Sequence, residues 1–131
     1  MVESEVEAIL EDAEDLYKEA LKELNEGRIR KAAENAWGAT VKATDALLYA
    51  RAKVEIIRGL GRTRELYELT KDDLEVRALD LAKEYNDRLL HLHGNVFYEG
   101  IYEIPGINLA NLIKDTKSYI ENVRKLCLNE R

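Results

Sequence analysis

The sequence has few of the residues that cross-link or interrupt a fold. Its 131 residues include one cysteine, one proline and no glutamine. A lone cysteine, Cys127, excludes both an internal disulfide and a multi-cysteine metal site. Because Pro105 is the only proline, no proline interrupts a helical pattern before that position. The chain therefore folds without an internal disulfide.

Long hydrophobic runs are also missing. A membrane-spanning helix needs roughly 20 consecutive apolar residues, and charged residues interrupt every stretch of this chain well before that length. The segment from Met1 to Glu5 is acidic, whereas a signal peptide is first basic and then apolar. The sequence therefore predicts a cytoplasmic protein without a membrane span.

The balance of charge limits the class of partner. Asp and Glu outnumber Lys and Arg by 26 to 20, which gives a net charge of -6. A protein that neutralises many phosphates usually has a basic excess, so duplex DNA is a disfavoured partner. A local basic patch for a nucleotide or RNA is compatible with this charge. Abundant Glu, Lys and Arg without glutamine are typical of proteins from hot environments, which predicts a thermophilic source.

Apolar residues recur every three or four positions along most of the chain, a spacing that predicts helices and no strands. We expect the first helix to be capped by Ser4 and to end at Gly27, and the second to run from about 28 to 58. A short helical turn at 64–69 should precede the third helix, which opens at 70–73.

We expect the third helix to end near Gly94 and the last helix to be capped by Asn108. Short connections make consecutive helices antiparallel. The prediction is a single all-α domain over residues 1–131, an antiparallel up-and-down four-helix bundle with an extra short helix. Trp37 and Cys127 lie on apolar helix faces, and we expect a core tryptophan and a buried, unreactive thiol.

One polar cluster differs from these helical patterns. Both histidines, His91 and His93, fall within residues 88–100 beside Arg88. Histidine titrates near physiological pH, so His93 could be a general acid/base or a partly buried residue hydrogen-bonded at a helix end. Arg88 and His93 are five residues apart, and on a regular helix their directions differ by roughly 140°. The two histidines lack the i, i+4 spacing of a metal-binding face, and we predict neither a metal nor a cofactor.

A second cluster contains only basic side chains. It lies around the predicted end of the second helix and consists of Arg51, Lys53, Arg58, Arg62 and Arg64. Such a cluster can be a solvated surface that stabilises a helix end. Alternatively, its guanidinium groups can contact phosphate, which they bind in a bidentate manner.

Three blocks of the sequence resemble the archaeal PaREP proteins, which belong to the wider HEPN-like group of helical bundles. The blocks are Ala36-Trp37-Gly38-Ala39, Arg64-Glu65-Leu66-Tyr67 and Leu92-His93-Gly94-Asn95-Val96-Phe97-Tyr98-Glu99-Gly100. In element order the similarity covers nearly the whole chain. The resemblance implies an HEPN-like four-helix bundle that forms a homodimer or a higher homo-oligomer.

Many members of the wider group are metal-independent endoribonucleases or toxins, often paired with a nucleotidyltransferase partner. They use an arginine and a histidine separated by four to six residues, a pattern that Arg88 and His93 match. In such a site the histidine assists attack by the 2′-hydroxyl and the arginine stabilises the developing charge. Two positions depart from the pattern: Leu89 stands where active enzymes carry a polar residue, and Asn95 where paired toxins often have tyrosine.

Three functional hypotheses follow from the residues and the resemblance. The first is a non-catalytic, homo-oligomeric binding or assembly module for a nucleotide or RNA. The second is a metal-independent endoribonuclease of the toxin or defence type, with Arg88 and His93 as its catalytic residues. The third is a structural partner of another protein. The candidate ligand-binding residues are Asn95, Tyr98, Glu99, Arg62 and Arg64.

Overall fold

Helices dominate the computed structural model, which describes residues 2–57 and 59–128. Within these ranges the α-helices are α1 (Val2–Asn25), α2 (Ile29–Leu47), α3 (Arg62–Asp72), α4 (Leu74–Ala78), α5 (Leu81–Arg88), α6 (Leu109–Lys114) and α7 (Thr116–Leu128). Two π-helical segments, π1 (Leu48–Ala52) and π2 (Leu89–Tyr98), continue α2 and α5. The β-type pairing found in the same ranges is an isolated bridge between Ile104 and Ile107. The all-α class is therefore confirmed.

The first two helices form a hairpin around Gly27. This glycine adopts a left-handed backbone conformation (φ 80°), as expected for a residue that ends a helix. At the hairpin turn, Arg28 donates to Glu23 at 2.6 Å. At the opposite end, the Tyr49 hydroxyl donates to Glu5 at 2.8 Å, so α1 and α2 run in opposite directions. Ser4 lies inside α1, and its predicted role as the first cap is therefore wrong.

Helix α2 is the central element, contacted by α1, π2 and α7. Most of its buried side chains are small, which lets neighbouring helices approach closely; the buried set is Ala32, Ala33, Ala36, Trp37, Ala39, Thr40, Ala43, Thr44, Ala46 and Leu47. Trp37 is 8% exposed, so its predicted place in the core is confirmed. Over the described ranges, no helix is long and apolar enough to cross a membrane.

Several polar groups in the interior are hydrogen-bonded. The Thr44 hydroxyl donates to the Thr40 carbonyl at 2.7 Å and lies 2.6 Å from the Tyr119 hydroxyl on α7. Burial raises the pKa of Tyr119 far above its usual value. Burial also raises the pKa of Cys127 to about 12, so this thiol is protonated at neutral pH. A protonated thiol is a poor nucleophile. Cys127 is only partly buried, so the expected burial of the thiol is met only in part.

Several predicted helix boundaries are wrong. The second helix ends early because Lys53 adopts a left-handed conformation (φ 58°), and Arg58 lies outside the described residues. The short helix after it is longer than expected and forms α3. Asp73 then caps α4, its side chain accepting from the amides of Glu75 and Val76. A second left-handed residue, Asp80 (φ 55°), separates α4 from α5.

The third main helix also continues beyond its predicted end. Gly94 lies inside π2, which extends to Tyr98, so the expected stop near Gly94 is wrong. Glycine weakens a helix locally, but packing against a neighbouring helix readily outweighs about 1 kcal/mol. The predicted cap at Asn108 is confirmed, because its side chain accepts from the Asn111 amide at 3.0 Å.

Candidate nucleotide site on the second π-helical segment

The segment π2 contains most of the polar cluster found in the sequence. One of its faces has a ladder of side chains four residues apart. His91 Nδ1 lies 3.0 Å from Asn95 Oδ1, and the Asn95 amide donates to Glu99 at 3.0 Å. Long π-helical stretches are rare and often occur at functional sites. The candidate ligand residues Asn95 and Glu99 therefore bond each other along this face.

Aromatic side chains from α5, α2 and π2 form a column of rings. Tyr85 contacts Trp37 (centroids 5.3 Å apart), and Trp37 stacks on His93 at 5.6 Å and 30°. His93 in turn stacks on Phe97 at 6.1 Å with the planes 10° apart. The ring of Tyr98 meets His93 edge-on at 4.8 Å and also contacts Phe97. The column passes from buried Tyr85 to Tyr98, which is 69% exposed.

His93 is oriented by a carboxylate on α2. Its Nδ1 lies 2.9 Å from Glu34 Oε1, and an ionised carboxylate can only accept hydrogen bonds. Nδ1 therefore carries the proton, and Nε2 is the second nitrogen of the ring. The His93 side chain is 27% exposed. Among the described residues, Nε2 is not one of the buried polar atoms that lack a hydrogen-bond partner. Since no described group bonds it, Nε2 faces solvent.

Sequence reasoning missed Glu34. It lies 59 residues before His93 in the chain, and only the packing of π2 on α2 brings the two together. The one available signal was its position three residues before Trp37, which places both side chains on neighbouring parts of one helix face.

Arg30, one helical turn before Glu34, was also missed. Its Nε donates to the Phe97 carbonyl at 2.5 Å, and its guanidinium carbon lies 5.5 Å from the centre of the Phe97 ring. Arg30 is exposed. Its terminal nitrogens make no hydrogen bond to the residues that the structure describes, so they are available to an external acceptor.

Arg88 has different surroundings. It is 1% exposed and donates to the Glu84 carboxylate at 2.8 Å and to the Thr116 hydroxyl at 3.4 Å. Its guanidinium carbon lies 5.7 Å from the centre of the Tyr119 ring. Arg88 therefore packs against α7, whereas His93 packs against α2. Within one chain, no hydrogen bond or ring contact of the described residues joins the two.

The basic cluster is spread over several contacts. Arg62 forms a two-pronged pair with Asp45 at 2.6 and 3.1 Å, which ties α3 to α2. Arg51 is nearly buried and donates to Asp73 at 2.8 Å and to the Leu126 carbonyl at 2.9 Å. Arg64 has a side chain that is 77% exposed, 3.6 Å from Glu65. Arg62 and Arg51 are thus engaged inside the fold, and Arg64 remains available at the surface.

Comparison with known proteins gives one family. The chain matches the model of the archaeal PaREP1/PaREP8 family over residues 8–126, a span that includes both α2 and π2. No curated protein matches the chain. Because the family match covers nearly all of the sequence, the chain belongs to the archaeal PaREP1/PaREP8 family.

Proposed function

We propose that this protein is an HEPN-like up-and-down bundle that forms homo-oligomers and binds a nucleotide or single-stranded RNA at π2. One observation carries the proposal: the ring of Tyr98 is 69% exposed at the end of a packed aromatic column. Proteins that bind single-stranded nucleic acid commonly stack bases on such side chains. His93 and Phe97 support the Tyr98 ring from behind, so it is held in place before a base arrives.

The directions of the helices support the bundle. Arg124 on α7 bonds Glu7 and Glu14 on α1, and Tyr17 bonds the Lys114 carbonyl. Residues late in α7 therefore lie beside residues early in α1, so these helices run in opposite directions. Likewise, Arg30 bonds Phe97 while Glu34 bonds His93, so π2 runs opposite to α2.

The binding experiment compares two exposed tyrosines. Trp37 is the only tryptophan and stacks on His93, so its fluorescence should report a ligand bound at π2. We expect wild type to bind a short oligoadenylate, and Tyr98→Ser to weaken binding by about tenfold or more, the usual effect of losing one stacked base. Tyr102→Ser is the matched control, since Tyr102 is exposed but makes no ring contact within the described residues.

Two results would contradict the binding function. In the first, wild type shows no binding to oligoadenylate or to mixed-sequence RNA. In the second, Tyr98→Ser and Tyr102→Ser weaken binding equally, which would indicate a nonspecific surface effect.

Homo-oligomer formation is supported by exposed apolar side chains elsewhere. Ile57, Leu60 and Leu74 are all large and well exposed, and they lie around the connections that precede α3 and α4. Large exposed apolar side chains are available for contacts with a second copy of the chain. Light scattering should show a dimer or larger species, and the Leu60→Ser, Leu74→Ser double variant should shift it towards monomer. A wild-type monomer at high concentration would contradict this part of the proposal.

A second candidate function, metal-independent RNA cleavage, is favoured by the contact between Glu34 and His93. A carboxylate on Nδ1 holds the imidazole in one orientation with the other nitrogen directed outward, the arrangement used by general acid/base histidines. The test is RNA cleavage in excess chelator, with 2′,3′-cyclic phosphate ends as the product. Cleavage abolished by His93→Ala and by Arg88→Ala, both confirmed as folded, would establish the activity. Cleavage that survives both would point to another site or a contaminant.

A further inference from the structure

We infer that Arg30 and His93 together form a phosphate subsite, so that the ligand is a phosphorylated nucleotide and Arg30, not Arg88, is the cation that binds it. This inference rests on the proposed function, because it places the phosphate of the nucleotide whose base stacks on Tyr98. The ligand must therefore carry a phosphate group.

The first argument is the fixed position of the Arg30 guanidinium. One of its nitrogens is engaged by the Phe97 carbonyl at 2.5 Å, and the group lies against the Phe97 ring. A guanidinium that is already anchored loses little conformational entropy when it binds a ligand. Its two terminal nitrogens can then bind two phosphate oxygens at once, the geometry in which arginine binds phosphate most strongly.

The second argument is that the charge of Arg30 is not used in an ion pair within the fold. Arg30 lies in the first turn of α2, where the helix dipole disfavours positive charge. Within the described residues it has no carboxylate partner, unlike the neighbouring Arg28, which pairs with Glu23 and Glu26. An exposed cation placed against the dipole and unpaired with an acid is well suited to an external anion.

The third argument is that Arg30 and His93 lie around the same ring. Arg30 and His93 both contact Phe97, and so does Tyr98. The outward Nε2 of His93 donates to a phosphate oxygen when the ring is protonated. Arg30, His93 and Tyr98 thus offer a cation, a ring nitrogen and a stacking surface around one aromatic side chain. Arg88 cannot bind this phosphate, because its guanidinium is buried against α7.

The experiment compares adenosine with its monophosphate, which differ only in phosphate, and with a dinucleotide, which adds a phosphodiester and a second nucleoside. Titration calorimetry and Trp37 fluorescence would measure binding of adenosine, adenosine monophosphate and the dinucleotide adenylyl-adenosine. We expect the monophosphate to bind about tenfold or more tightly than adenosine, as expected for a charge-assisted bidentate contact. If the dinucleotide also binds more tightly than adenosine by the same factor, the subsite binds a backbone phosphodiester. If only the monophosphate binds more tightly, the subsite binds a terminal phosphate.

Variants then test whether Arg30 causes the tighter binding of the monophosphate. Arg30→Met should reduce monophosphate binding to the level of adenosine and leave adenosine unchanged. Arg28→Met is the matched control, since it removes the same charge from the same helix end without touching Phe97, and it should have little effect. Arg30→Lys keeps the charge but loses the two-pronged geometry, and it should restore only part of the tighter binding. Circular dichroism and melting curves confirm that each variant is folded.

The outcomes separate this inference from the proposed function. Equal binding of adenosine and its monophosphate to wild type overturns the subsite but leaves base stacking intact. Equal losses in Arg28→Met and Arg30→Met also overturn it, since they would indicate a diffuse positive field. If adenosine fails to bind while inorganic pyrophosphate binds in an Arg30-dependent way, stacking is wrong and the subsite stands. If none of these ligands binds, both are wrong.

Discussion

Arg88 and His93 are five residues apart on one continuous helical stretch, yet their surroundings differ in almost every respect. Arg88 is buried and hydrogen-bonded to Glu84 and Thr116. His93 is partly exposed, with one nitrogen on Glu34 and the other facing solvent. One residue faces α7 and the other faces α2. Two residues of a sequence motif therefore need not share a site within one chain.

The comparison also shows how a buried charge differs from an available one. All the contacts of Arg88 are internal, so its removal should affect stability first. The Nε2 atom of His93 makes no hydrogen bond to the described residues. This atom therefore adds nothing to stability through such a bond. We expect the two positions to differ in the same way when they are mutated.

The largest expected effect is that of Arg88→Ala. The change removes a buried side chain, its packing on Tyr119 and its hydrogen bonds, and should lower the free energy of unfolding by about 3 kcal/mol. Urea denaturation followed by circular dichroism measures this. Lys83→Ala is the control on the same helix, because its exposed pair with Asp87 should contribute little to the free energy of unfolding. A change in Arg88→Ala as small as that of the control would show that Arg88 is not structural.

His93→Ala should have a smaller effect on stability, about 1.5 kcal/mol, because it removes ring contacts that are only partly buried. The same denaturation experiment compares it directly with Arg88→Ala. Glu34→Gln keeps the shape of the partner and should cost less than either. If His93→Ala destabilised the protein more than Arg88→Ala, the contrast between a structural arginine and an available histidine would be wrong.

Tyr119→Phe tests the Arg88 side of the molecule more finely. It removes the hydroxyl that lies 2.6 Å from Thr44 and keeps the ring beneath Arg88. The loss of one buried hydrogen bond should lower the free energy of unfolding by about 1 kcal/mol, and nucleotide binding at π2 should not change. Weaker binding in this variant would mean that the surroundings of Arg88 and those of His93 are coupled.

Gly94→Ala should have the smallest effect on the free energy of unfolding, and it should raise this free energy instead of lowering it. Gly94 lies within π2 and is not among the described residues with positive φ, and an added Cβ would meet Leu89 O at an ordinary 3.5 Å. Alanine should therefore stabilise the helix by about 0.5–1 kcal/mol. Gly27→Ala is the control, since its φ of 80° disfavours any Cβ and the variant should be destabilised. Destabilisation by Gly94→Ala in the same thermal melts would show that π2 needs the glycine.

Local sequence signals predicted much of the fold but little of the site. Asn108 and Gly27 begin and end helices through contacts with residues next to them in the chain, so the sequence predicted both roles. Trp37 lay on an apolar helix face, which predicted its place in the core. Lys53 carries no signal for a left-handed conformation and Asp80 only the weak preference of aspartate for that region, so the breaks at these two residues were missed. Arg30 and Glu34 resemble ordinary surface charges on α2. Their relation to His93 depends on a contact between residues about 60 positions apart.

The sequence by itself determined the all-α class, the family and the position of the histidine cluster, because helical periodicity and short motifs depend on residues close together in the chain. Only the tertiary structure decided which neighbouring helix each charged residue faces. That choice depends on how π2 packs on α2 and how Arg88 at the end of α5 meets α7, and it placed Arg88 in the interior and His93 beside Glu34. Side-chain packing between distant segments has no local periodicity, so no pattern in the sequence could report it.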